Sequence, residues 1–573
     1  MSETLTRRRE LIENAFPVWK ERSLGEWLAS CAEKYSDRPM VITDDLTATY
    51  AEVDQWATRL ADGLAALGVA PGEHVGILMA NYAEFVPLKF AIARAGAVAV
   101  PMNFLYREEE LAYVLAQSEC RVLITMTGFS GLDYLAMLDS IRPGWHTGAP
   151  SEALPLLRNV IQLSTDGRTR DGVLTVDGLA RLGDENPGAT AEIEVAPNSV
   201  ADVLYTSGTT GSPKGVLITH DASQRTGYAS ALTRAFEDGR RILFSLPCYH
   251  MFGYVEGLMA ATVVGGAVIL QPKFDPAEYL RGIAAHRATD ILCVPTMAVA
   301  LLEHPDVNKH DLGSLSAVLV GAAPGPVWLW EKVATELGAT EIVTGYGMTE
   351  CGGAMTLTRP DDPYELTATT VGAVKQAGVA GMPDHGGALT VYRVVDPETG
   401  EFLPDGEEGE LVSSGPTTML GFWNKPEETA KGLRNGWVMS GDLGRVRPDG
   451  YIEVTGRSKE LYKSGGELVM PKEIEELLTA HPEISQAFAI GIRDDRWGEV
   501  GCACVVRAPG STIGEEDVLA LCKEKLARFK VPKMVWFLQP GDLPTTPTGK
   551  IQKFRLVQQA TKQLTSHRLE QTS

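Results

Sequence analysis

The sequence predicts an α/β protein: a large N-terminal domain of stacked α/β layers with a β-rich subdomain, followed by a small mobile α+β C-terminal domain. Three observations predict it. The chain has 573 residues, more than one compact core normally holds. From about residue 23 to 140, helical-period stretches alternate with short apolar runs such as VGILMA (75–80) and GAVAVPMN (96–103), the pattern of layered α/β structure with mostly parallel strands. Towards the C-terminus the texture changes twice, first to alternating strand-like segments and then to a fresh helix–strand series.

Residues 1–22 read as a polar leader, and 23–458 as the large domain. Within it, 143–200 is rich in Gly, Pro and polar residues and is expected to be irregular. The α/β alternation returns with ILFSLP (242–247), GAVIL (266–270), ILCVPT (291–296) and AVLVGAA (317–323). Between 385 and 455, ALTVYRVVD, GELVSSG and GYIEVTG are separated by PDG turns, which suits a β-rich subdomain. After TGRSKE (455–460) a helix, strands, a second helix and a final strand (MVWFLQP) follow. A hinge is placed at Lys459, a small domain over 459–555 and a polar tail over 556–573.

Composition narrows the function classes. Hydrophobic residues make up 44% and charged residues 22%, ordinary for a soluble globular protein. The net charge of −22, from 52 basic and 74 acidic side chains, disfavours nucleic acid and anionic lipid as partners. A phosphate site must then be a local pocket of backbone N–H groups and a few cations, insulated by screening over about 8 Å. The eight cysteines show no CxxC or Cys/His zinc spacing, and read as buried reduced thiols. The N-terminus lacks a signal peptide's apolar core and no run of 18 apolar residues occurs, so a cytoplasmic protein without a membrane span is expected.

The most informative segment is Tyr205-Thr-Ser-Gly-Thr-Thr-Gly-Ser-Pro-Lys-Gly215, which follows the strand-like SVADVLY. Thr206, Ser207, Gly208, Thr209, Thr210 and Gly211 present hydroxyls and uncovered backbone N–H groups, a set that can wrap polyphosphate. Lys214 adds one cation. A Walker A loop needs Gly-Lys-Ser/Thr opening a helix; here Pro213 precedes Lys214 and Gly215 follows it, so a kinase or GTPase is disfavoured.

With this loop the sequence resembles the adenylate-forming superfamily of acyl-CoA synthetases, luciferases and peptide-synthetase adenylation domains. The likeness covers about residues 23–555, from TYAEVDQWATRLADGLAALGVAPGEHVGI to PTTPTGKIQK, with six motifs in order. It implies roles residue by residue. His250 in LPCYHMFG (246–253) would line and gate the acid pocket. Amino-acid-activating members carry an Asp near there; none stands between Tyr249 and Tyr254, which disfavours an amino-acid substrate. The backbone of Gly321, Ala322 and Ala323 in VGAAPG would lie along adenine. In Thr344-Gly-Tyr-Gly-Met-Thr-Glu350, Tyr346 would stack on adenine, Thr349 would bond the α-phosphate and Glu350 would hold Mg²⁺, a cation suited to a carboxylate plus phosphate oxygens. Asp442 would accept from the ribose hydroxyls, with Arg457 reaching the same ribose or the phosphate.

The remaining motifs concern catalysis and the second half-reaction. Lys550 in Pro547-Thr-Gly-Lys550 would stabilise charge on the phosphoryl oxygens and the leaving pyrophosphate. Lys463, Ser464, Gly465 and Gly466 would enter the site on rotation about Lys459 and help form the CoA channel. Departures from the family pattern are Leu468 and Met470, where Asn and Tyr are usual, and the large Tyr462.

The resemblance thus implies a carboxylic acid:CoA ligase that uses ATP, Mg²⁺ and CoA. Two readings stand beside it: an enzyme that loads the phosphopantetheine arm of a carrier protein, and a nucleotide-binding protein without catalysis. Luciferase-like oxygenation is a remoter one. The small residues Cys351, Gly352, Gly353 and Ala354 suggest a roomy pocket, suited to a medium-chain, aryl or polycyclic acid.

Overall fold

A computed structural model describes residues 3–147, 151–206, 212–321, 327–397, 399–457, 462–494, 496–508, 510–539, 542–544, 553 and 555–562, with backbone alone at 296, 455–457, 472 and 476. The chain divides into two units. Met1–Thr206 and Lys214–Gly456 belong to the first, and the second runs on from Arg457.

Three large sheets build the first unit. Nine strands form one, in the spatial order 373–374, 353–357, 341–348, 317–320, 290–293, 241–244, 267–270, 39–42 and 47–49. The six strands from 341–348 to 39–42 pair in parallel, and the outer strands are antiparallel. A seven-stranded sheet runs 214–219, 200–206, 98–101, 74–78, 122–126, 159–163 and 174–175, parallel except for the hairpin at its edge. Its strands His74–Leu78, Val98–Pro101 and Val122–Met126 are buried at every position. They therefore read as continuous apolar runs, as strands covered on both faces must. The third sheet joins 391–395, 409–414, 437–446 and 433–434, with 452–457 beside 437–446, in the stretch expected to be β-rich.

Local signals set the helices. Tyr50–Ala66 starts at a capping box between Thr49 and Glu52, which satisfies two N–H groups at the open end of the helix. It is followed by Gly68 at φ 81°, a backbone that suits glycine. The stretch 143–200 is more ordered than its composition suggested. It supplies the strand Asn159–Leu163 and the helix Val176–Glu185, which buries Val176, Leu179 and Ala180. Residues 1–22 include the helix Glu3–Ala15, with Leu5, Arg9 and Ile12 buried.

The second unit is α+β. Ile484–Asp494 and Gly498–Arg507 form a long antiparallel pair, with Met534–Phe537 parallel to the latter. The helices Pro471–Thr479 and Glu515–Lys525 accompany them. One core packs Ile474, Leu478, Val505 and Val518; another holds Ile490, Cys502, Cys504 and, from the stretch read as a tail, Leu556 and Ala560. All eight cysteines are buried and unpaired. Among the described residues no helix is long and apolar enough to cross a membrane.

Candidate active site

The phosphate-loop segment is the tip of a hairpin. Val200–Thr206 pairs antiparallel with Lys214–Thr219, Thr206 standing opposite Lys214. Ser207, Gly208, Thr209, Thr210 and Gly211 lie outside the described residues. The root is tightly held. The Gly215 carbonyl accepts the Trp423 N–H at 2.8 Å, and the Tyr205 hydroxyl donates to Gln117. Gly215 has no room for a side chain: a Cβ would stand 2.4 Å from Val203 Cγ1. Lys214 directs its ammonium at Glu428, 5.3 Å from the centre of the Phe422 ring. Its hydrogen bond holds the Glu428 carboxyl below the usual carboxylate range. The cation expected at the loop is thus bound to a carboxylate at the hairpin root. Nothing in the sequence near the loop points to that partner.

Two sheets bring the proposed adenosine residues together. Tyr346 lies on the strand Glu341–Met348 of the nine-stranded sheet, and Asp442 on Trp437–Val446 of the third. The Tyr346 hydroxyl donates to Asp442 Oδ2 at 2.7 Å. Burial, and next the Asp442 carboxylate, push the Tyr346 hydroxyl well above its usual pKa, so it stays a donor. Asp442 is buried, and its own N–H donates to Ser440 Oγ at 3.0 Å. Tyr392, missed in the sequence, sets its ring 6.1 Å from that of Tyr346 at 52°. Its place in ALTVYRVVD gave no functional signal.

Thr349 and Glu350 open the turn Thr349–Cys351, Thr349 buried and Glu350 half-buried. The Glu350 carbonyl accepts the Met419 N–H at 2.9 Å. Gly352 and Gly353 follow at φ 92° and 122°, conformations that L side chains rarely adopt. A Cβ on Gly353 would lie 2.8 Å from Val255 Cγ2, and one on Gly352 2.8 Å from the Thr417 carbonyl. Backbone shape and close packing therefore call for glycine at both, where the sequence suggested open space.

His250 is exposed; its Nδ1 accepts the Phe252 N–H at 3.2 Å. It leads into a π-helix, Phe252–Met259, a rare form often found at functional sites. Phe252 packs on Gly321, where a Cβ would stand 2.5 Å from its ring. Ala322 and Ala323 lie outside the described residues. The π-helix also carries Glu256, fully buried, to which Lys375 Nζ donates at 2.5 Å and Ser230 Oγ at 2.6 Å.

In the second unit, Lys463 and Ser464 lie on the strand Tyr462–Ser464, and the turn to Glu467–Val469 is made by Gly465 and Gly466 at φ 60° and 90°. The Lys463 N–H donates to Glu499 Oε2 at 2.7 Å. Gly465 fits against Trp497, whose ring a Cβ would approach to 3.0 Å. Tyr462 fills the space left by Gly491 and Gly501, each with a Tyr462 atom 2.2 Å from where a Cβ would be. Its bulk is accommodated inside this unit's core. Arg457 ends the strand Ile452–Arg457, but its side chain, like Lys459 and Lys550, lies outside the described residues.

The first unit therefore joins Thr206 to Lys214, Tyr346 to Asp442, and the π-helix after His250 to Gly321. An aromatic face beside a carboxylate suits a nucleoside, whose base offers a flat surface and whose ribose offers a diol. Among the described residues no three or more His, Cys, Asp or Glu side chains group to hold a metal. Glu350 fits Mg²⁺ nonetheless, because that ion usually takes one or two carboxylates and completes its shell with phosphates and water.

Comparison with known proteins agrees. The AMP-binding enzyme family matches residues 28–423, and the AMP-binding enzyme C-terminal domain matches 473–550. The chain is 33% identical to the putative acyl-CoA synthetase YngI of Bacillus subtilis, over 93% of this chain and 96% of that one. It is 35% identical to a feruloyl-CoA synthase of Amycolatopsis, over 93% and 98%. Among solved structures, a double mutant of o-succinylbenzoate CoA synthetase from Bacillus subtilis superposes with a TM-score of 0.75 at 27% identity, covering 94% and 98%. The chain belongs to the AMP-binding enzyme family. Its activity is that of an acid:CoA ligase.

Proposed function

We propose that the chain activates a bulky carboxylic acid with Mg·ATP and passes the acyl group to CoA in two half-reactions, with the residues above in defined roles. The observation that carries the reading is the 2.7 Å hydrogen bond from Tyr346 to Asp442, which sets the ring face of Tyr346, three residues ahead of Thr349, beside a diol acceptor. The adenine lies on Tyr346 and along the backbone of Gly321, Ala322 and Ala323. Asp442 accepts from the ribose hydroxyls, and Arg457 donates to the ribose or phosphate. The N–H and hydroxyl groups of 206–211 receive the polyphosphate, with Lys214 at the hairpin root. Glu350 is the residue that would hold Mg²⁺, which bound there offsets phosphate charge.

In the first half-reaction a carboxylate oxygen of the acid attacks the α-phosphorus and pyrophosphate leaves. Thr349 bonds the α-phosphate, and Lys550 stabilises the charge that builds on the phosphoryl oxygens. In the second, the CoA sulfur attacks the acyl carbonyl, the thiol proton passes to solvent and AMP leaves. The small domain, 459–555, turns about Lys459 between the two, replacing Lys550 by the Lys463–Gly466 turn. His250 stands at the acid pocket. The names of the relatives, feruloyl-CoA synthase and o-succinylbenzoate CoA synthetase, support an acid larger than propionate. Eight buried, unpaired cysteines suit a reducing, cytoplasmic setting.

The test is acid-dependent pyrophosphate release from Mg·ATP over a panel of medium-chain, aryl and polycyclic acids, with and without CoA. Acyl-CoA should form, and Lys550→Ala should slow adenylation by about two to three decades, the loss expected for one charge-stabilising donor. Pyrophosphate release without any CoA product would point to a carrier protein as acceptor. Turnover of acetate or propionate alone would overturn the bulky acid.

A further inference from the structure

Residues 1–22 precede the family match, which begins at residue 28, and the roles above leave them without one. From Arg9 to Arg22 they nevertheless follow one helix, His220–Thr233, along its length. At its C-terminal end the buried Arg9 donates from Nε to the Leu232 carbonyl at 3.3 Å and from Nη2 to the Thr233 carbonyl at 3.1 Å. Midway, the Phe16 ring meets Tyr228 edge-on at 5.3 Å. At the N-terminal end Trp19 Nε1 donates to Asp221 Oδ1 at 2.8 Å, and Gln224 Nε2 donates to the Arg22 carbonyl at 2.6 Å. A cation on the last carbonyls of a helix satisfies acceptors that have no partner within it.

Another face of the same helix meets the site. Thr226 Cγ2 stands 3.3 Å from where a Cβ on Gly353 would be, and Thr226 Oγ1 stands 3.5 Å from one on Gly352. Gly227 lets the helix approach the π-helix, since a Cβ there would lie 2.8 Å from Met259 Cβ. The helix is held between the N-terminal segment and the glycine turn that follows Glu350. A second link runs from Arg8 Nη1 to Glu341 Oε1 at 2.5 Å, at the start of the strand that carries Tyr346.

We propose that residues 8–22 are a strap that presses the helix His220–Thr233 onto Gly352–Gly353 and the π-helix, making Arg9 and Trp19 positioning residues for the acid. The proposal rests on the acid:CoA ligase reading, with His250 and the π-helix at the acid pocket. Packed interiors transmit displacement. Slackening the strap at Arg9 and Trp19, with the Arg8–Glu341 pair kept, therefore lets the pocket wall drift while the Tyr346–Asp442 pair stays in place.

The experiment compares full-length wild type, Arg9→Met/Trp19→Leu and the control Leu11→Ser, whose side chain is exposed on the same N-terminal helix. Steady-state kinetics are read with ATP and with an acid that the wild type converts, and backbone hydrogen exchange is followed over 220–233 and 352–354. The double variant should raise KM for the acid about tenfold, leave KM for ATP within twofold, and speed exchange in both segments. The control should change neither. An unchanged KM for the acid, an equal rise in both KM values, or unchanged exchange in 220–233 would overturn the strap. Should the wild type convert no acid, the ligase reading fails, and exchange alone still decides the strap. Should the double variant not fold, Trp19→Phe keeps the ring, removes the donor to Asp221, and should speed exchange at the N-terminal end of the helix.

Discussion

At the scale of single residues, His220 shows how burial sets a charge state. It opens the helix behind the phosphate-loop hairpin, is buried, and accepts the Leu24 N–H at Nδ1, 3.4 Å away. Burial first, and then the nearby Lys89 ammonium, push its pKa down to about 3. The folded chain therefore keeps this imidazole neutral, while in the unfolded chain it takes up a proton below about pH 6.5. Its contribution is intact above that pH and is lost as pH falls towards 3, at no more than about 1.4 kcal/mol per pH unit. Urea midpoints between pH 7.5 and 4.5 should fall more steeply for wild type than for His220→Asn; parallel slopes would show that another group titrates. The sequence marks this histidine only by its place after a strand. The motif residues were legible because their chemistry is local: a glycine where φ is positive, or a carboxylate at the end of a turn. Their partners were not. Lys214 and Glu428, or Tyr346 and Asp442, are joined only by folding, and no short-range pattern announces such a pair.

At the scale of elements, the π-helix Phe252–Met259 depends on a buried ion pair. Glu256 and Lys375 are both wholly buried at 2.5 Å, and burial lowers the pKa of Lys375. Removing one member of such a pair leaves an uncompensated charge and costs about 3–5 kcal/mol, whereas replacing both is often neutral or better. Lys375→Met should therefore lose about that much in urea unfolding, and Lys375→Met/Glu256→Leu should recover most of it. A double variant as unstable as the single one would show that Ser230 and the surrounding backbone need the charge. Apolar runs revealed strands such as 74–78, 98–101, 241–244, 267–270, 290–293 and 317–320, because strands buried on two faces become unbroken apolar runs; they did not reveal 159–163, in the stretch read as irregular. Apolar periodicity did not reveal the π-helix, whose apolar composition fits several periods. Nor did it reveal the helix Glu3–Ala15, where TRRRE disguises a face that buries Leu5, Arg9 and Ile12.

At the scale of the whole molecule, each unit has cores of its own. The first is built around residues such as Trp27, Tyr50 and Trp330, the second around Ile474, Val505 and Val518. Units with separate cores can unfold separately. Calorimetry should resolve two transitions, the smaller assigned by its loss in a chain ending at Gly456. One transition with equal calorimetric and van't Hoff enthalpies would mean that the cores melt together. The two-domain plan was legible because hydrophobic texture changes near residue 456. The spatial order of the strands was not, since strands adjacent in space, such as 39–42 and 267–270, are far apart in the chain.

The burial of every cysteine has a practical side. Burial pushes the thiols of Cys31, Cys120 and Cys351 up to about 12, which leaves almost no thiolate at neutral pH, and thiolate is the form that reacts. A chromogenic disulfide reagent added to the native enzyme should therefore report CoA and little else. Thioester formation can be followed in samples of the reaction stopped into the reagent, as the colour each one yields falls with time, with no separation step and no mutant stripped of cysteine.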